Sequence, residues 1–158
     1  MRRFAAPALA AGLLLGACAG GPPGPAPLDR RNDACSYCRM SVSDPRFAAQ
    51  LVAPAEEPKF FDDIGCLAAH LKERRPAPRA VGYVADHFTG SWVVASRALY
   101  TRVPGLATPM GSHLVAHADA ASRDADPDAR DGVSVSLADV FGPGGPPGGD
   151  APAAGGRP

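Results

Sequence analysis

Lys59-Phe60-Phe61-Asp62-Asp63-Ile64-Gly65-Cys66-Leu67-Ala68-Ala69-His70-Leu71 changes its apolar period in mid-run. Lys59 to Asp62 is short and aromatic, which predicts a strand. From Ile64 onward the apolar residues Ile64, Leu67, Ala68 and Leu71 recur at helical spacing, which predicts a helix over 64–75. Asp62 or Asp63 can cap its start, Arg74 and Arg75 suit its negative end, and Pro76 stops it. Upstream, Phe47 to Ala53 is apolar, of strand length and bounded by prolines. Downstream, Ala80 to Ala85 is another strand. The order is β-β-α-β.

The order then repeats. Ala98 to Val103 and His113 to Ala118 read as strands. Ala120 to Ala129 reads as a weak helix interrupted by Pro127, and Val133 to Ser136 closes the set as a strand. Thr89-Gly90 is a turn ahead of strand-like Ser91 to Ala95, and Tyr83, Trp92 and Tyr100 read as core residues. The expected fold is therefore α+β, two small β-β-α-β lobes at about 33–88 and 89–141. Residue identity barely repeats between them, so the order of elements carries the duplication. Gly/Pro-rich segments flank the lobes. Ala19 to Pro27 reads as a spacer and 142–158 as a disordered tail.

The first residues have the build of an export signal. Arg2 and Arg3 precede an apolar run from Phe4 to Leu15, shorter than the ~20 residues of a membrane span. Leu15-Gly16-Ala17-Cys18 then looks like a bacterial lipobox. That implies cleavage after residue 17, a diacylglycerol on Cys18, a tether over 18–32, and a chain anchored by lipid on the periplasmic side of a membrane. The 158-residue chain carries 16 basic and 16 acidic side chains. With no basic stripe, nucleic-acid binding has no electrostatic support.

Chemistry concentrates in Cys35-Ser36-Tyr37-Cys38-Arg39-Met40. Two thiols and a thioether within six residues are soft donors, which favour a soft ion such as Cu(I). Of four cysteines, lipidation would take Cys18. That leaves Cys35, Cys38 and Cys66, an odd number for disulfides. A disulfide with one buried thiol is one reading. A structural zinc site using Cys66 and a histidine is another. A thiol or mercurial-processing enzyme is a third, with Asp62 or Asp63 as acid/base partner. A thioredoxin-like site wants a helix after the motif, and Ser41 to Pro45 does not supply one. Methionine favours copper. Met40 and Met110 both lie in turn-rich motifs rather than on an apolar helix face, and thioethers suit Cu(I) better than Zn(II). His113 and His117 fall on one face if 113–118 is a strand, which makes His113 a further candidate ligand beside Cys66. Asp124 to Asp131 reads as a solvated acidic face.

These segments together resemble the NosL family, copper-binding accessory lipoproteins of nitrous oxide reductase. The matching stretches are the lipobox at Cys18, Cys-Ser-Tyr-Cys-Arg-Met at 35–40 and Phe-Phe-Asp-Asp-Ile-Gly-Cys at 60–66. Tyr-Val-Ala-Asp-His-Phe-Thr-Gly-Ser-Trp at 83–92, Ala-Leu-Tyr at 98–100 and Thr-Pro-Met-Gly at 108–111 follow in order. The resemblance implies two β-β-α-β lobes, Cu(I) binding without catalytic turnover, and as partners nitrous oxide reductase and its membrane ABC-type maturation complex. It implies ligands among Cys35, Cys38, Met40 and Met110. Arg39 stands where the family usually has glycine. Glycine takes φ > 0 freely and arginine does not, so the turn is expected to differ here. Its charge beside the thiols is expected to favour thiolate.

Overall fold

The computed structural model describes residues 21–148. The lipobox and Cys18 lie outside the described residues. The first unit runs β1 (Ala49–Val52), β2 (Lys59–Phe61), α1 (Ile64–Glu73) and β3 (Val81–Ala85). β1 pairs antiparallel with both β2 and β3. The second unit runs β5 (Leu99–Arg102), β6 (Leu114–His117), α2 (Ala120–Ala125) and β7 (Val133–Val135). Its first strand is again central, in the order β6-β5-β7. The two units therefore share topology as well as element order, and the fold is α+β.

β4 (Trp92–Val94) pairs with β3, so the first sheet reads β2-β1-β3-β4 and takes its last strand from beyond residue 88. The two sheets share one core. Ala49, Leu51, Phe61 and Val84 of the first sheet and Leu67 of α1 pack in the same cluster as Tyr100, Leu114 and Phe141. A short helix, α3 (Leu137–Phe141), is absent from the sequence reading. It starts with a capping box between Ser136 and Asp139 and buries Val140 and Phe141. In a five-residue helix, the periodicity that reveals α1 has no room to develop.

The first sheet is buried on both faces. Gln50 and Val52 of β1, Val81, Tyr83 and Ala85 of β3, and Trp92 and Val94 of β4 point away from α1 and are all buried. The apolar members form a second cluster, against which Ala26 and Leu28 pack. Leaving this face wet would forfeit about 1.5–3 kcal/mol for each large side chain. The spacer expected at 19–27 is, from residue 21, a docked strap. The Gln50 amide exchanges two hydrogen bonds with the Ala26 backbone, accepting from its N–H at 2.7 Å and donating to its carbonyl at 3.2 Å. The Tyr83 hydroxyl donates to the Pro23 carbonyl at 2.6 Å. The tail expected to be disordered is likewise docked as far as it is described. Gly82 N–H donates to the Pro147 carbonyl at 3.0 Å, and Pro146 is buried. Composition suggested free segments because Gly/Pro/Ala stretches cannot form a core of their own. Here they cover a core that the strands supply.

Candidate metal centre

The Cys35–Met40 segment closes as a turn against β2. Cys35 N–H donates to the Met40 carbonyl at 2.7 Å, and Arg39 N–H to the Cys35 carbonyl at 3.0 Å. Ser36 N–H donates to the Phe60 carbonyl, beside a parallel bridge between Cys35 and Phe60. This pairing carries Cys35 beside Asp62, which follows β2. The next two residues separate by backbone alternation, since neighbours on extended chain point to opposite sides. Asp62 turns to the thiols. Asp63, extended at φ −150°, caps α1 by accepting from Gly65 N–H at 2.6 Å. The first turn of α1 then adds Cys66.

Cys35, Cys38, Asp62 and Cys66 thus place one ligand atom each, three sulfurs and a carboxylate oxygen, within 4.8 Å of one another. Cys35, Asp62 and Cys66 are buried, Cys38 is half-buried, and all three thiols are free. The Cys38 thiol donates to Asp62 Oδ1 at 3.4 Å.

The protons in this cluster are unevenly held. A hydrogen bond from the Cys66 thiol brings Cys35 down to about 4, against the cost of burial and with help from nearby backbone N–H groups. The same contact, followed by burial, pushes Cys66 far up. The pair is one thiolate held by one thiol. Burial lifts Cys38 to about 11. Burial, then the Cys35 sulfur, lifts Asp62 to about 6. The expectation that Arg39 favours thiolate is corrected: its side chain is exposed, and Cys66 does that work. At neutral pH the cluster concentrates negative charge in a buried site, a setting that suits a soft cation.

At Arg39 the backbone takes φ 71°, the left-handed conformation that glycine adopts freely and that arginine occupies with strain. Left-handed backbone costs an L-residue roughly 1–2 kcal/mol.

Both methionines reach the surface beside these elements. Met40 is 56% exposed and Met110 46%. The Thr108–Gly111 turn comes from the second unit and is tied to the first through Asp63. Asp63 Oδ2 accepts from Thr108 Oγ1 at 2.8 Å and from Met110 N–H at 3.1 Å. The fit is close, since a Cβ on Gly65 would lie 2.8 Å from Ser112 Cβ. One carboxylate therefore caps the helix that bears Cys66 and holds the turn that bears Met110.

His113 stands apart from the cluster. It precedes β6 with φ 57°, so strand alternation does not reach it. Its Nδ1 bonds the Leu106 carbonyl at 2.8 Å. His117 is turned elsewhere, toward Asp126, which is buried rather than part of a solvated face. Asp62, by sequence a helix-cap or acid/base candidate, stands instead among the candidate metal donors. The one available signal was the pair Asp62-Asp63 at a strand-helix junction, where one carboxylate suffices for the cap.

The fold and the cluster define an α+β protein with a group of soft donors, gathered at a strand-helix junction, that could hold a metal ion. The chain belongs to the NosL family, whose model matches residues 25–141. It is a family of accessory copper-binding proteins. Neither a curated protein nor a solved structure matches the chain significantly.

Proposed function

We propose that this protein is a Cu(I) chaperone, lipid-anchored through Cys18 on the periplasmic side of a membrane. Copper is its cargo, held without catalytic turnover and passed on for maturation of nitrous oxide reductase, with the ABC-type maturation complex as the docking partner. The observation that carries the reading is the convergence of the Cys35, Cys38 and Cys66 sulfurs with Asp62 within 4.8 Å. Thiolates in a buried, electron-rich site select Cu(I) over harder ions. The half-buried Cys38 and the exposed Met40 and Met110 give an acceptor protein sulfurs to approach, so that ligand exchange can proceed without unfolding the core. A near-neutral chain offers anionic headgroups little, so attachment rests on the lipid. No helix among the described residues is long and apolar enough to cross a membrane.

Anaerobic competition with a Cu(I) chelator tests the proposal. The expected result is about one tight equivalent, weakened at least ~10-fold by Cys35→Ser or Cys66→Ser and less by Met40→Ala or Met110→Ala. Absence of tight binding, or a site indifferent to all three thiols, would refute it. Mass spectrometry of membrane-extracted protein tests the anchor, with a diacylglyceryl adduct expected at Cys18.

A further inference from the structure

A second group of metal-ligating side chains lies apart from the thiols. His87 follows β3, His117 ends β6 and Asp126 closes α2, so both units contribute. Their exposures are 3%, 0% and 2%. His87 Nδ1 and His117 Nε2 approach the same Asp126 Oδ2, at 2.7 and 2.9 Å. One ligand atom from each residue lies within 4.8 Å of the other two.

As a hydrogen-bonded clamp this cluster is poorly satisfied. The outer ring nitrogens, His87 Nε2 and His117 Nδ1, are buried with no partner among the described residues. Three polar side chains leave water for two mutual bonds to one carboxylate oxygen; that oxygen and the two inner nitrogens are the atoms an ion would take, and the outer nitrogens stay unpaired with or without it. Asp126 Oδ1 is held by the Asp128 N–H at 3.0 Å, which fixes the carboxylate with Oδ2 toward the rings.

We propose that His87, His117 and Asp126 form a second metal site, for a borderline divalent cation of the Zn2+ class. Two imidazoles and a carboxylate are the donor set such an ion takes, at about 2.0–2.2 Å from each atom. Tetrahedral donors then stand roughly 3.3 Å apart, so each imidazole–carboxylate contact, now 2.7 or 2.9 Å, needs to open by only about half an ångström, while the two inner ring nitrogens lie within 4.8 Å of each other. With the inner nitrogen of each ring on the ion, the ring proton sits on the outer nitrogen. Water can supply the fourth ligand. The way in is through the segment that carries Asp126, because α2 buries none of its own residues. A cavity of about 350 Å³ flanks the same segment, lined by Asp124, Thr101 and Ser134 together with the basic Arg123 and Arg130. The ion's role is structural. It joins the ends of β3 and β6, one from each unit, to α2.

The test uses the chain with Cys35, Cys38 and Cys66 all replaced by serine, titrated with Zn2+ by calorimetry and followed by thermal melting. The expected result is about one equivalent bound and a melting temperature raised by several degrees, both lost on adding Asp126→Asn. No saturable binding, or binding unchanged by Asp126→Asn, overturns the proposal. Should the serine chain fail to fold, Co2+ is added to the wild-type chain. Ligand-field bands without thiolate charge transfer, abolished by His117→Gln, then support the site, and Co2+ bands of thiolate character alone overturn it. Cu(I) affinity of the Asp126→Asn chain is measured separately, so failure of the copper reading and failure of this one are distinguishable.

Discussion

Replacing Asp63 by asparagine separates two tasks that one carboxylate performs. Oδ1 caps α1 through Gly65 N–H, while Oδ2 accepts from Thr108 Oγ1 and Met110 N–H. Asparagine keeps one acceptor oxygen, which can stay on the helix cap. Its NH2 group then faces the Met110 N–H, donor against donor. A hydrogen bond to a charged group contributes about 1.5–3 kcal/mol, and leaving a buried donor unpaired costs a similar amount. The expected loss for Asp63→Asn is about 2 kcal/mol with helix content retained. Asp63→Ala also loses the cap, worth about 0.5–2 kcal/mol, and should reach about 2.5–4 kcal/mol. Urea denaturation followed by circular dichroism reads both values. The functional consequence runs through Met110, whose turn is released from the first unit. Cu(I) affinity should fall a few-fold in Asp63→Asn, by no more than in Met110→Ala. A double-mutant cycle decides the route, because Asp63→Asn added to Met110→Ala should cost almost no further affinity. Additive losses, or an Asp63→Asn chain with wild-type stability, would show that Asp63 does not position Met110.

Three further outcomes follow from the same geometry. Arg39→Gly should raise stability by about 1 kcal/mol, since relief of left-handed strain at φ 71° outweighs the added freedom of the unfolded chain; a lower urea midpoint would contradict it. Asp62 titrates near 6 when folded, above its ordinary 3.8, so the folded state binds its proton more tightly. Its contribution to stability of the metal-free chain is therefore largest below about pH 4 and is lost as pH rises through 6. Asp62→Asn should flatten that part of the profile, by an amount on the order of 1 kcal/mol after solvent screening, and urea midpoints at pH 4.5 and 7 for both chains measure it. Gln50→Ala removes both bonds to Ala26 and should cost about 1–2 kcal/mol. It should also speed protease cleavage within residues 21–28, and unchanged cleavage would show that the strap is held by packing alone.

The order of elements was legible because each carries its own period or punctuation. Phe47 to Ala85 announces strand, strand, helix, strand, and Ala98 to Ser136 repeats it. Cys35, Cys38 and Cys66 could be nominated from chemistry alone, because few residues offer soft donors. Their convergence could not. It depends on Cys35 pairing with Phe60 and on Asp62 and Asp63 facing opposite ways, both consequences of long-range strand pairing. One feature of the sequence points to the docked strap. Phe47 to Ala53 and Ala80 to Ala85 are apolar without alternation, which marks strands buried on both faces, so something had to cover the second face. His87, His117 and Asp126 are separated by up to 39 positions, and no spacing rule joins them. Local sequence thus determined the elements and the kind of donor available, since propensity and ligand softness belong to each residue. Tertiary structure alone decided which donors meet, how Arg39 bends, and which proton each thiol keeps, because those depend on burial and on partners that the chain brings from a distance.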